Sequence, residues 1–310
     1  MFKKRSKGEL QLADLLDHNR KAAVLGLARR LYRDAFQASR FSPIAHGFRL
    51  VRSVFEGRFP GYRPCSTDYH NHLHTLQVFS AAARLADGCI LDGLALGSED
   101  FEDILMAALL HDIGYIQEEG DTEGTGAKYT KTHVDRSVAF VLRHAGQLRI
   151  GTERAERIGR IILGTDIGRT WIGLHFEDDV ERRAAAILAS ADLLGQMSDR
   201  AYLEKLLFLY YEFLEARIEG YGTAFDILRK TADFYESTQA RLDGPLGEVS
   251  SRCRAHFARR HGIDRDLYRE AIGRQMAYLN LVLADSSVNF RKKLKRLDLE
   301  SIERARLTVK

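Results

Sequence analysis

Apolar residues recur along most of the chain at three- and four-residue intervals, with little of the strict alternation that marks strands, so the pattern predicts an all-α fold. Only four prolines interrupt it: Pro43, Pro60, Pro64 and Pro245. Residues 9–57 read as two accessory helices, with Val24, Leu27, Leu31 and Ala35 forming one apolar stripe. The segment Phe59-Pro60-Gly61-Tyr62-Arg63-Pro64 breaks the helical pattern and sets the first boundary. From Asp68 onward the spacing predicts helices over 70–86, 99–112, 130–145, 153–165, 180–198, 201–219 and 223–240. Asp243-Gly244-Pro245 closes this region, and a basic helical tail follows, ending in Arg291-Lys292-Lys293-Leu294-Lys295-Arg296. The expected division is therefore N-terminal accessory helices over 1–60, a central helical bundle over 61–245 that carries the chemistry, and a C-terminal helical extension over 246–310.

Composition narrows the setting. A chain of 310 residues with 45% hydrophobic content can bury a substantial core without covalent staples. Cys65, Cys89 and Cys253 are widely spaced and form neither a disulfide framework nor a Cys-x-x-Cys knuckle, which favours a reducing compartment. The basic start, Met1 to Lys7, runs into Gly8-Glu9-Leu10-Gln11, too polar for a signal-peptide core, and no apolar run reaches the length of a membrane span. A cytoplasmic location without membrane association is expected. A formal net charge of +4 is mild: it suits anionic substrates without calling for nucleic acid, and the Arg291–Arg296 run reads as a solvated helix face. The acidic, glycine-rich stretch from Glu118 to Gly126 reads as a solvated connector rather than a lid.

The candidate chemistry lies in three places. Tyr69-His70-Asn71-His72-Leu73-His74 opens a predicted helix; there His70 and His74 share a face, while His72 is rotated about 200° from His70. His111-Asp112 follows the apolar run Ile104–Leu110, placing an imidazole and a carboxylate at a buried helix end. Asp192 stands in Ala184–Leu194, where every other residue except Ser190 is apolar, and it falls one turn after Leu188. A carboxylate so placed needs a cation or several hydrogen-bond donors. Together these residues read as a metal site built on helices.

In order and type, His74, His111-Asp112 and Asp192 resemble the HD superfamily of metal-dependent phosphohydrolases, whose signature is a histidine, a His-Asp pair and a distant aspartate. Tyr69-His70-Asn71-His72-Leu73-His74 is similar to the Tyr-His-Asn-x-x-His motif of class I cyclic-nucleotide phosphodiesterases, and Ile162-Leu163-Gly164-Thr165-Asp166-Ile167 to that family's Ile-Leu-Ala-Thr-Asp-Met helix end. The likeness covers residues 68–200 or so. It implies an HD-type helical bundle in which His74, His111, Asp112 and Asp192 hold a first divalent metal. Asp112 would bridge to a second metal, and His70 would protonate the leaving oxygen. The implied reaction is hydrolysis of a nucleotide or related small phosphoester by metal-activated hydroxide. The donor set suits Mg, Mn, Zn or Fe. His133 would bind the second metal or a phosphate oxygen, or would merely cap its helix. Asp166 would contact substrate or only close a helix-ending turn, and Asn71 would orient its neighbours.

Two departures bear on substrate and class. The phosphodiesterases place a glutamine three residues before a base-clamping phenylalanine, whereas Thr231 stands three before Phe234 here. No Gly-Tyr-Pro motif follows His111-Asp112-Ile113-Gly114, so the HD-GYP enzymes fit less well. The same ligands would also serve a di-iron oxygenase, and a noncatalytic nucleotide-binding module is the third reading. His18, His46, His144, His175, His256 and His261 are read as ordinary surface or core histidines.

Overall fold

The computed structural model describes residues 10–37, 40–284 and 289–299, and the fold of these residues is all-α. In chain order the helices are α1 (Leu12–Leu15), α2 (Lys21–Ala35), α3 (Ser42–Phe55), α4 (His72–Leu91), α5 (Ser98–Leu110), α6 (His133–Arg143) and α7 (Ala145–Leu148). They continue with α8 (Thr152–Leu163), α9 (Asp179–Met197), α10 (Tyr202–Glu215), α11 (Ala224–Asp243), α12 (Gly247–Ser250), α13 (Cys253–His261) and α14 (Leu267–Ala284). Among the described residues the sole strand-like pairing is an isolated bridge between Tyr62 and Glu118. No described helix is long and apolar enough to cross a membrane. The three cysteines are unpaired.

Helix α4 is the axis. The Asn71 side chain caps it, accepting from the backbone N–H of Leu73 at 2.9 Å and of His74 at 3.3 Å. Every residue from His74 to Cys89 is buried, as expected of a helix whose small and apolar residues run all the way round. Helices α2, α5, α9 and α13 enclose it. The polar residues on α4 are paired inside this enclosure. Asp87 accepts from His256 Nδ1 at 2.7 Å and from Arg260 Nη2 at 2.6 Å, while Arg84 donates to the Tyr268 hydroxyl at 3.0 Å. These buried contacts bind the C-terminal helices α13 and α14 to the centre.

Helix α8 is held by a row of arginines three residues apart. Arg157 donates to Asp103 on α5 at 2.7 Å, and Arg160 makes a two-point contact with Glu181 on α9 at 2.6 and 2.9 Å. The result is a fixed packing of α5, α8 and α9, the frame on which two of the three candidate segments, those with His111-Asp112 and Asp192, sit. The predicted helices from 70 to 240 agree with the observed ones to within a few residues.

The basic tail differs from its expected form. Helix α14 ends at Ala284, and Phe290–Lys292 forms a single 3-10 turn rather than a continuing helix. Leu294 is buried, and Arg296 reaches Gln275 Oε1 at 2.9 Å while its backbone N–H donates to Glu204 at 3.0 Å. Anchoring of this run onto α10 and α14 overrides its helical spacing.

Candidate metal centre

Three helices converge on one point. His74 lies in the first turn of α4, His111 caps the C-terminal end of α5, Asp112 begins the 3-10 turn Ile113–Tyr115, and Asp192 comes from α9. His74 Nε2 is 3.2 Å from Asp112 Oδ2, 3.2 Å from Asp192 Oδ1 and 3.4 Å from His111 Nε2. His111 Nε2 is 3.3 Å from Asp112 Oδ2 and 3.7 Å from Asp192 Oδ1. Donor atoms held about 2.0–2.2 Å from one ion stand roughly 3.0–3.5 Å apart, so the spacing of His74, His111 and Asp112 fits a single cation, with Asp192 beside both imidazoles. The four side chains singled out in the sequence are brought together.

Hydrogen bonding and charge support the fit. His111 Nδ1 lies 3.0 Å from the Ala108 carbonyl, to which it donates, leaving the Nε2 lone pair facing the centre. Asp112 Oδ2, aimed at both imidazoles, is buried and has no hydrogen-bond partner. Burial disfavours charge on His74, yet the adjoining Asp112 and Asp192 carboxylates outweigh it and lift the imidazole to about 9. The same carboxylates raise His111 against the opposing effect of burial. Burial would raise Asp112 and Asp192, but the two imidazoles hold both below the usual carboxylate range. Two carboxylates thus share the site with protons that a divalent ion would displace.

The other oxygen of Asp112 faces a different imidazole. His133 Nε2 lies 3.7 Å from Asp112 Oδ1, and His133 Nδ1 donates to the Thr130 carbonyl at 2.8 Å. Burial lowers His133 below the ordinary histidine range, which keeps it neutral and its Nε2 free to accept. Gly114 permits this approach: a Cβ there would sit 2.0 Å from the His133 carbonyl oxygen. Ser137 fixes the junction, donating to the His111 carbonyl at 2.6 Å and accepting from Gly114 N–H at 2.9 Å.

His70 reaches the site by a route other than the expected one. Because Asn71 is the cap, His70 precedes α4 and does not share a helical face with His74. The capping turn nevertheless brings the two rings to 5.9 Å. His70 Nδ1 donates to Glu212 Oε2 at 2.6 Å, and Glu212 Oε1 accepts from Tyr69 N–H at 2.7 Å. Tyr115 stacks on two imidazoles, with its ring centre 4.3 Å from that of His70 and 4.5 Å from that of His133, whose own centres lie 6.2 Å apart. Sequence reasoning missed Glu212 and Tyr115. The signal for Glu212 was its place one turn after Phe208 on the buried side of α10.

A cavity of about 540 Å³ opens over these groups, and His70, His74, Asp112, His133, Asp166 and Asp192 all line it. A family model described as Npun_R2479-like matches residues 118–242. No curated protein and no solved structure matches the chain. The matched stretch carries His133, Asp166, Asp192 and Glu212 but begins after His74, His111 and Asp112.

Asp166 stands at the cavity wall while turned onto its own loop, accepting from Gly168 N–H at 2.8 Å and from Arg169 Nε at 2.9 Å. His72 faces away from the cavity and stacks on Phe55. His18, His46, His144, His175, His256 and His261 line no part of the cavity. The Glu118–Gly126 loop is tied down: Glu119 N–H donates to the Gly61 carbonyl at 2.8 Å, and the Thr125 hydroxyl donates to Glu215 at 2.7 Å.

Proposed function

We propose that the protein is a metal-dependent phosphohydrolase of the HD type, acting on a small phosphoester as a phosphodiesterase. The observation that carries this reading is the division of Asp112: one oxygen faces His74 and His111, the other faces His133. His74, His111, Asp112 and Asp192 would hold one divalent ion, with Asp112 and His133 contributing to a second. Such ions lower the pKa of water towards about 7 and polarise a phosphoryl oxygen. Glu212 fixes the His70 ring through Nδ1, so Nε2 is the atom that carries a proton to the departing oxygen. Tyr115, stacked on both His70 and His133, holds both rings in place. The unpaired cysteines favour a reducing, cytoplasmic setting.

The His133–Asp112 approach also suits an oxygenase with two irons. Iron content with oxygen uptake, and no hydrolysis, would select that reading. The test of the hydrolase is a panel of a chromogenic phosphodiester, a monoester and nucleotides against protein loaded with Mg, Mn, Zn or Fe. Turnover of at least one phosphoester is expected, and His70→Ala should retain metal while slowing turnover by about 10² to 10⁴. Inactivity on all three classes, or loss of metal from His70→Ala, contradicts the assignment.

A further inference from the structure

The walls of the cavity differ in chemistry according to the element that supplies them. The capping turn and first turn of α4, the turn after α5, the start of α6, the loop after α8 and helix α9 contribute the imidazoles and carboxylates. Helices α10 and α11 and the link between them contribute Leu206, Leu209, Phe213, Ile218, Ile227 and Phe234. The polar groups on that wall are few: Thr231 donates its hydroxyl to the Ile227 carbonyl at 2.7 Å, and Tyr202, Tyr221 and Lys230 present polar tips on largely apolar side chains. A hydrocarbon body is held by apolar contact alone, and the six aliphatic and aromatic side chains on this wall supply it. Lys131 and Lys230 line the same cavity, both exposed, and neither has an acidic partner among the described residues. Lys131 donates to the Arg217 carbonyl at 3.3 Å, and Lys230 lies over the Tyr221 ring at 4.6 Å.

We infer that the substrate is an anionic amphiphile: a phosphoester whose phosphate meets the histidine–aspartate wall and whose body is a hydrocarbon or unsubstituted aromatic group packed on α10 and α11. This rests on the phosphohydrolase reading and narrows it to phosphoesters with a large apolar body. The cavity volume of about 540 Å³ lies within the range of sites that enclose a whole small ligand. The two lysines supply positive potential that draws an anion in without fixing its orientation.

The test is calorimetric binding of methyl-, butyl- and octylphosphonate, with uridine and adenosine monophosphates, to manganese-loaded protein. These phosphonates are not hydrolysed, so binding is read without turnover. Each methylene that enters an apolar wall should tighten binding about three- to fourfold, making octyl- over butylphosphonate a gain on the order of a hundredfold. Leu209→Gln and Phe213→Ser, at partly exposed positions, should each reduce that gain by at least about tenfold. The nucleotides should bind no tighter than butylphosphonate. Equal affinity across the alkyl series, or tighter binding of a nucleotide than of octylphosphonate, overturns the amphiphile inference and leaves the phosphoester reading standing. Failure of every phosphonate and nucleotide to bind overturns both.

Discussion

Gly114→Ala tests whether the close seating of α6 against the His-Asp turn builds the second half of the site. The new Cβ would lie 2.0 Å from the His133 carbonyl oxygen and 2.8 Å from Ser137 N. Ordinary contact begins near 3.4 Å, so the first turn of α6 would have to recede by roughly 1.4 Å, an overpacking that costs about 1–3 kcal/mol. The same movement strains two hydrogen bonds through Ser137, at 2.9 and 2.6 Å, adding about 1 kcal/mol if one is lost. A total near 2–4 kcal/mol is expected. His133 Nε2, now 3.7 Å from Asp112 Oδ1, would move to about 5 Å, wider than one ion bound at roughly 2.1 Å to each atom can span. Urea unfolding should show the lost stability, and elemental analysis should show fewer metal equivalents than wild type, with the His74–His111–Asp192 equivalent retained. A variant as stable as wild type to within about 0.5 kcal/mol and with unchanged metal content would refute the reasoning.

Glu212→Ala removes a buried carboxylate that holds His70 Nδ1 at 2.6 Å and Tyr69 N–H at 2.7 Å, and should cost about 3–5 kcal/mol in chemical denaturation, whereas Glu212→Gln should recover much of it. A loss below about 1 kcal/mol for the alanine variant would mean that the carboxylate does not hold this turn. Acidification should destabilise the fold through His256, which burial holds at about 4 against the ordinary 6.5 despite its contact with Asp87. The unfolded chain takes up that proton below pH 6.5 and the folded chain does not until about pH 4, so stability is full above pH 6.5 and falls as the pH drops. The loss reaches about 3 kcal/mol by pH 4. Urea midpoints across this window should show the slope, and His256→Gln should shrink it.

Much of the arrangement was legible in the chain because burial conflicts with polarity at a few points. Asp192 stood out as a carboxylate in an apolar helix, and His111-Asp112 as polar residues after an apolar run; the packing of α4, α5 and α9 gives both a common destination. His70 was legible as a residue of the cavity but not by its geometry, because the capping power of Asn71 starts α4 two residues after it. Glu212 was hidden for a different reason. Its spacing from Phe208 puts it on the buried side of α10, but only the fold shows the two distant donors it accepts from. Gly114 carries no local turn signal at all, since its role is set by a helix that begins nineteen residues later, at His133. The tail from Arg291 to Arg296 shows the converse, where tertiary anchoring through Leu294 and Arg296 prevails over a helix-like spacing.

The central claim is that His74, His111, Asp112 and Asp192 together hold a divalent cation, and its most direct test is the metal stoichiometry of purified wild-type, Asp112→Ala and Asp192→Ala protein by elemental analysis after metal loading. Wild type should carry at least one equivalent, and both variants should lose it while remaining folded by circular dichroism. Full metal occupancy in both variants, or a wild-type protein that takes up no divalent metal, would contradict the account.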